Sequence, residues 1–388
     1  MFKNKIHLFT LFGFKVGIDV TWFILAVLIT WSLAEGLFPH FFEGFETATY
    51  WWMGVAGTLG LFVSIVFHEF CHSLVARRFG LPMKGITLFI FGGVAEMNEE
   101  PKSPKSEFTM AVAGPISSLI LAGIIWLLYQ AGQLVRELEA ANAVLAYLIW
   151  LNVILAIFNT IPAFPLDGGR ILRSILWGIK KDLKWATRVA AGFGSGFAIL
   201  LIVFGVINFI GGNFIGGLWY FLLGMFIKGA SQMSYQQLLV RKALSGVPVR
   251  QLMKSDPVTV PASLTVDKLV EDYVYKYHHR MFPVVDDGRL LGCVTTRHIK
   301  EMDQHQWDNN TIQDIFSPCS EYNTASPDTD SMEILSMMKE SGNSRILVVE
   351  QNTLKGVVTL KDLLNYLSLK TDIEDDQEVK AMAQPQDE

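Results

Sequence analysis

The sequence predicts an α-helical polytopic membrane domain of about six transmembrane helices, with a short membrane-associated β segment, followed by a cytoplasmic α/β tandem module. Three observations predict it. The chain of 388 residues is 51% hydrophobic and only 18% charged, and the apolar residues are concentrated in the first 232 positions. Basic residues fall on alternate sides of the apolar runs. Residues 253–367 contain an internal repeat, MFPVVDDGRLLGCVTTRHI against RILVVEQNTLKGVVTLKDL, beginning at 281 and 345. Such uneven composition separates a membrane half from a water-exposed half.

The first basic stretch, MFKNKIHLFTLFGFKVGIDV, lacks a small-residue cleavage site after its apolar part and reads as a retained anchor. Six apolar segments of near-spanning length follow, at 18–38, 51–76, 108–130, 143–161, 187–210 and 214–232. The fourth is short and is followed by Pro162 and Pro165; a glycine-rich turn, Gly211-Gly212-Asn213, separates the last two. The loops at 36–50 and 211–217 carry no Lys or Arg, and the loop at 131–142 carries only Arg136. The opposite side holds Lys3, Lys5, Lys15, Arg77, Arg78, Lys84, Lys102, Lys105, Arg170, Arg173, Lys180, Lys181, Lys184, Arg241 and Lys242. The positive-inside bias therefore places both termini in the cytoplasm, as an even number of crossings requires. Segment 86–97, ITLFIFGGVAEM, is only half a span long and rich in β-branched residues. It reads as strand-like backbone at the cytoplasmic face, where it needs a partner strand or protein cover.

The expected domains are a membrane-embedded domain at 1–232, a linker helix at 233–252, the tandem module at 253–367 and an acidic disordered tail at 368–388. The formal net charge of −5, with basic residues clustered in membrane-flanking loops and not in a stripe, argues against a nucleic-acid partner. The three cysteines, Cys71, Cys293 and Cys319, lie far apart with no paired spacing and do not read as a disulfide framework.

Chemistry is concentrated in VFHEFCHSLVARRFG, residues 66–80. Ionisable groups within a spanning helix are costly and mark a functional site. His68 and His72 lie four residues apart and project from one helix face, so their imidazoles can hold one zinc ion, and Glu69 beside them can act on water. The competing reading is a pair of histidines that cap or snorkel near a helix end. A catalytic zinc needs a third protein ligand. Asp167, in NTIPAFPLDGGR, follows an apolar run broken by two prolines. His72 precedes Arg77 by five residues and Asp167 precedes Arg170 by three, so both lie within roughly 10 Å of the same membrane face. Glu35, Glu137 and Glu139 fall on the outer side; Glu107 is less well placed, and Glu96 stays open as a second candidate. Asp167 can alternatively cap a helix or pair with Arg170.

HEFCHSLVARRFG together with the N-x-x-P-x-x-P-L-D-G-G-R pattern resembles the site-2 protease family of intramembrane zinc metalloproteases. The repeat resembles a pair of cystathionine-β-synthase-type (CBS) motifs. The combination, over residues 10–370, points to the branch of the family that carries CBS domains and lacks a PDZ domain. The resemblance implies one Zn2+ per chain, bound by His68, His72 and Asp167, with Glu69 as the general base that passes its proton to the leaving amine. Asn159 matches the Asn of the second family motif, implying either a contact to substrate backbone or oxyanion, or a hydrogen bond between helices. Gly114-Pro115 fits the family and reads as packing; Cys71 lies off the ligand face.

The expected substrate is a membrane-embedded protein, such as a transcription regulator, its membrane-bound inhibitor or a signal-peptide remnant, cut near the cytoplasmic face of the cell membrane. Segment 86–97 is placed to pair with the unwound substrate by strand addition. CBS motifs often carry T-x-x-D, whose Asp meets an adenosyl ribose. Thr359 and Asp362 keep it, whereas the first copy has His298 in place of the Asp, so the pattern fits one nucleotide site and not a second; a purely structural or homodimerising role for the pair is an equal alternative. A CBS-regulated transporter using the His/Glu/Asp cluster as an ion path is the alternative; residues 1–230 lack the internal symmetry it would favour. An inactive scaffold is disfavoured because every expected catalytic residue type is present.

Overall fold

The computed structural model describes residues 5–81, 83–89, 92–97, 101–133 and 138–383. The chain divides into two units, Met1–Gln236 and Gln237–Glu388.

The first unit begins with a β-hairpin, not a helix. Strands β1 (Lys5–Leu11) and β2 (Phe14–Asp19) turn through Phe12 and Gly13, both at positive φ, as a two-residue hairpin requires. Asp19 ends the strand and caps the next helix, accepting from Thr21 N at 3.0 Å and Thr21 Oγ1 at 2.7 Å. Six helices among the described residues are long and apolar enough to cross a membrane: α1 (Val20–Phe41), α2 (Thr47–Arg78), α3 (Pro104–Gly132), α4 (Glu139–Thr160), α6 (Leu183–Ile210) and α7 (Phe214–Leu244), with the shorter α5 (Asp167–Lys180) between α4 and α6. The expected six spans are present.

Segment 86–97 belongs to a second hairpin, β3 (Met83–Phe89) and β4 (Gly92–Met97). The sheet order is β1-β2-β3-β4. The central pair is parallel, with Val16 opposite Ile86, and the outer pairs are antiparallel. Phe14, Val16 and Ile18 of β2 and Ile86 and Leu88 of β3 pack with Val66 and Phe70 of α2. The sheet thus holds the α2 turn that carries the histidines.

The expected linker helix at 233–252 is corrected. Residues 233–244 continue α7 rather than forming a separate linker helix, because no Gly or Pro interrupts the run until Gly246, at φ 78°. Residues 245–252 are a turn followed by the single helical turn Val249–Gln251.

In the second unit the repeat appears as two matching halves. Strands β5 (Met281–Asp286) and β6 (Arg289–Thr295) correspond residue for residue to β9 (Arg345–Glu350) and β10 (Thr353–Thr359). Short strands β7 (Ser317–Pro318) and β8 (Thr324–Ala325) complete two three-stranded sheets. The helices α8 (Thr296–Lys300) and α10 (Leu360–Ala383) follow β6 and β10, and α9 (Ser331–Ser341) precedes β9. Each half has its own core, and Met281, Leu290 and Cys293 of the first pack with Leu347 and Val357 of the second. The tail expected to be disordered from 368 instead continues α10 to Ala383. Its Glu, Gln, Lys, Ala and Met are strong helix formers, and their propensity outweighs the acidic charge; residues 384–388 lie outside the described residues.

Candidate metal centre

On α2, His68 and His72 face α3, away from the sheet, and both are buried, at 3% and 8% exposure. Their Nε2 atoms are 3.2 Å apart. Asp167, the first residue of α5, brings Oδ2 to 3.0 Å from His68 Nε2 and 3.1 Å from His72 Nε2. The helix cap position belongs to Leu166, and the Asp167 carboxylate turns to the imidazoles. Among the described residues, these three form the one group of His, Cys, Asp or Glu side chains close enough to share a metal ion.

The donor set fits zinc. Tetrahedral ligands about 2.0–2.1 Å from a zinc ion lie roughly 3.3 Å from one another, close to the separations of 3.0, 3.1 and 3.2 Å here. The outer ring nitrogens are engaged elsewhere. His72 Nδ1–H donates to Met110 O at 2.7 Å, and His68 Nδ1 pairs with Ser118 Oγ at 2.9 Å. With Nδ1 protonated, each Nε2 directs its lone pair at the shared point.

One face of α3 registers the whole arrangement. Glu107, Met110, Gly114 and Ser118 recur at helical spacing. A Cβ on Gly114 would overlap Nε2 of both histidines; only glycine leaves space at that point. Glu107, weighed from sequence as a ligand, is instead fully buried and paired with Arg173 of α5, whose Nε donates to its Oε1 at 2.6 Å. The arm carrying Asp167 depends on close backbone packing too. A Cβ on Gly168 would overlap the carbonyl oxygens of Thr160 and Ile161, one on Gly169 the Phe164 nitrogen, and one on Gly194 the Phe164 oxygen. The two glycines after Asp167 are therefore steric requirements of the turn between α4 and α5.

Glu69 points along the sheet side of this centre. A Cβ on Gly93 of β4 would meet Glu69 Cγ at 2.7 Å, so that strand passes directly over the carboxylate-bearing side chain. The Nδ2 of Asn159 donates to Leu155 O of its own helix at 3.0 Å. The Glu96 side chain lies outside the described residues; its backbone pairs with Gly85. Cys71 is half-buried outside the ligand group.

In the second unit, Asp362 Oδ2 accepts from Thr359 N at 2.9 Å and Thr359 Oγ1 at 2.6 Å. His298 takes the equivalent position after β6, where its Nδ1 accepts from Thr295 N at 3.4 Å and its Nε2 pairs with Ser317 Oγ at 3.2 Å. The substitution of His for Asp thus preserves the helix cap and removes the carboxylate.

Comparison with known proteins agrees with these features. The model of peptidase family M50 matches residues 56–142 and 129–203. "Putative zinc metalloprotease Rip3" of Mycobacterium tuberculosis is 32% identical over 369 residues, 95% of this chain and 94% of that protein. The chain belongs to peptidase family M50, the site-2 proteases. It is a multi-pass zinc metalloprotease of that family, and the CBS domain model matches its residues 249–304 and 312–369. "Zinc metalloprotease MJ0392" of Methanocaldococcus jannaschii is 30% identical over 367 residues, 94% of this chain and 96% of that one. A solved site-2 protease from Methanocaldococcus jannaschii is similar at 28% identity, covering 59% of this chain and 94% of that chain, with a TM-score of 0.42.

The M50 residues that sequence reasoning placed as ligands, His68, His72 and Asp167, are brought together. It missed Met110 and Ser118, and it took Gly114 for packing alone. The signal was present in the spacing of Glu107, Met110, Gly114 and Ser118 along α3, but nothing in the sequence tells which helix that stripe faces.

Proposed function

We propose that this protease cuts a membrane-embedded protein near the cytoplasmic face, with zinc held by His68, His72 and Asp167. The convergence of His68 Nε2, His72 Nε2 and Asp167 Oδ2 within 3.2 Å of one another carries the reading. Zinc, when bound, supplies Lewis acidity toward the scissile carbonyl.

The chain's own residues do the rest. Glu69 takes a proton from the attacking water as its oxygen bonds to the carbonyl carbon. It then delivers that proton to the amine as the C–N bond breaks. The strand β4, at the end of the sheet and directly over Glu69, accepts the unwound substrate by strand addition, which exposes carbonyls that a helix hides. Asn159 has a second amide N–H, beyond the one given to Leu155, for the substrate backbone or oxyanion. The substrate class is a regulator, a regulator's inhibitor or a signal-peptide remnant. The loop charges that place Arg77, Arg78 and Arg170 at one membrane boundary support a cytoplasmic second unit and cytoplasmic termini.

The CBS pair adds regulation in this reading. Thr359 and Asp362 form one adenosyl nucleotide site, the His298 copy none, and the pair also serves homodimerisation. The domain limits follow the same division: protease through 232, CBS pair over 253–367.

The test is metal analysis and cleavage of a transmembrane peptide by the purified full chain. Asp167→Ala should lose stoichiometric zinc. Glu69→Gln should keep zinc and lose cleavage. Full zinc content in Asp167→Ala, or full activity in Glu69→Gln, would overturn the assignment.

A further inference from the structure

We propose that the buried Glu107–Arg173 ion pair, together with the Phe164 ring, is a positioning device that sets the distance of Asp167 from the two histidines. The inference rests on the reading of Asp167 as a metal ligand.

Three observations carry it. First, Arg173 and Glu107 are 4% and 0% exposed, and their charges meet through a short Nε–Oε1 contact of 2.6 Å. A pair so buried gives little net stability compared with apolar packing, so its worth lies in what it orients. Second, Arg173 is on the same helix as Asp167 and reaches back over the turn before it: its guanidinium carbon stands 5.0 Å from the centre of the Phe164 ring. Phe164 precedes Asp167 by three residues and is itself 4% exposed. Arg173 therefore clamps both ends of the segment that carries the carboxylate. Third, the anchor for Arg173 is on α3, one turn before Met110, whose carbonyl orients His72, and on the face that also carries Ser118, the partner of His68. One helix face thus fixes the histidines through Met110 and Ser118 and the opposing arm through Glu107. Sliding or tilting of α5 would move Asp167 away from the imidazoles, and the ion pair blocks that motion.

The geometry makes Arg173 and Glu107 positioning residues; neither touches the metal or the substrate. Full-length protein in detergent, loaded with Co2+ or Zn2+, provides the test. Arg173→Leu should release its metal to a chelator about 10- to 100-fold faster than the wild type, the range for residues that orient ligands. It should also shift the visible bands of the cobalt form and lower kcat with KM kept. Arg173→Lys, which retains the charge and the contact with the Phe164 ring, should restore most of the metal retention. Should Arg173→Leu fail to accumulate, Glu107→Gln and Phe164→Leu test the same clamp from its two ends. Wild-type cobalt bands and metal release in the variants that fold would overturn the proposal. Asp167→Ala separates the two readings: if it loses metal while the clamp variants do not, only the positioning role fails; if it retains metal with an unchanged spectrum, the ligand assignment fails.

Discussion

The Nδ1–H of His72 donates to the backbone carbonyl of Met110 at 2.7 Å. A backbone acceptor cannot be removed by changing the Met110 side chain, so this half of the centre is fixed by the path of α3. His68 uses a side chain instead, Ser118 Oγ at 2.9 Å. Ser118→Ala should therefore weaken zinc binding, by about 10-fold at the least, and Ser118→Thr should recover part of it. Competition with a chromogenic chelator measures both.

Gly114→Ala should be worse than Ser118→Ala. The added methyl group occupies the space beside both Nε2 atoms, and both imidazoles are too buried to swing aside without disrupting the packing of α2 on α3. We expect a folded, helical protein with less than about a tenth of the wild-type zinc content, read by metal analysis alongside circular dichroism.

Glu69→Gln preserves shape and removes the base. Cleavage should fall by about 10²- to 10⁴-fold, the typical contribution of one general acid–base group, while zinc content stays at the wild-type level. A fall in both would assign Glu69 to metal retention.

Asp362→Ala removes a carboxylate that caps α10 through Thr359 N and Oγ1. Loss of such a cap costs about 1 kcal/mol, to be read by hydrogen exchange of residues 353–369 in the full chain. Nucleotide binding should weaken at the same time, whereas Asp362→Asn should keep much of the cap and still lose the ribose contact. Nucleotide titration of the two variants separates cap from ligand.

His298 gives the second unit a dependence on pH. Burial lowers its pKa below the usual imidazole value; Glu301 opposes the shift and Arg297 reinforces it. A lowered pKa means that the folded state prefers neutral imidazole. The stability it contributes is present above about pH 6.5 and is lost as pH falls through the lowered value. Protection of residues 289–300 against hydrogen exchange should therefore decline on acidification toward pH 5, and His298→Asn should flatten that decline.

The six spans, the paired halves of the second unit and the three converging side chains were legible because each follows from a local rule: apolar length, a repeated segment, and two histidines one helical turn apart. The sheet over α2 was only half legible. Residues 86–97 read as strand-like, but KIHLFTLFGFKV read as an anchor: β1 pairs with β2 next to it, while β2 finds its other partner about 70 residues further along the chain, in the pairing of Val16 with Ile86, and no local pattern announces that long-range pairing. The role of Gly114 was hidden for the same reason. A glycine in an apolar helix reads as packing until the neighbouring helix is known, and here the neighbour presents two imidazoles.

The parallel pairing of β2 with β3 also constrains how the protein is made. Between them the chain passes through α1 and α2; parallel strands need such a long connection, and here the connection crosses the bilayer twice. Two crossings return β3 to the side where β2 waits. If one of the two helices fails to insert, β2 and β3 emerge on opposite faces and cannot pair. The four-stranded sheet therefore closes only in a chain whose first two spanning helices have both crossed, which ties the packing of β2 and β3 on α2 to the topology of everything before them.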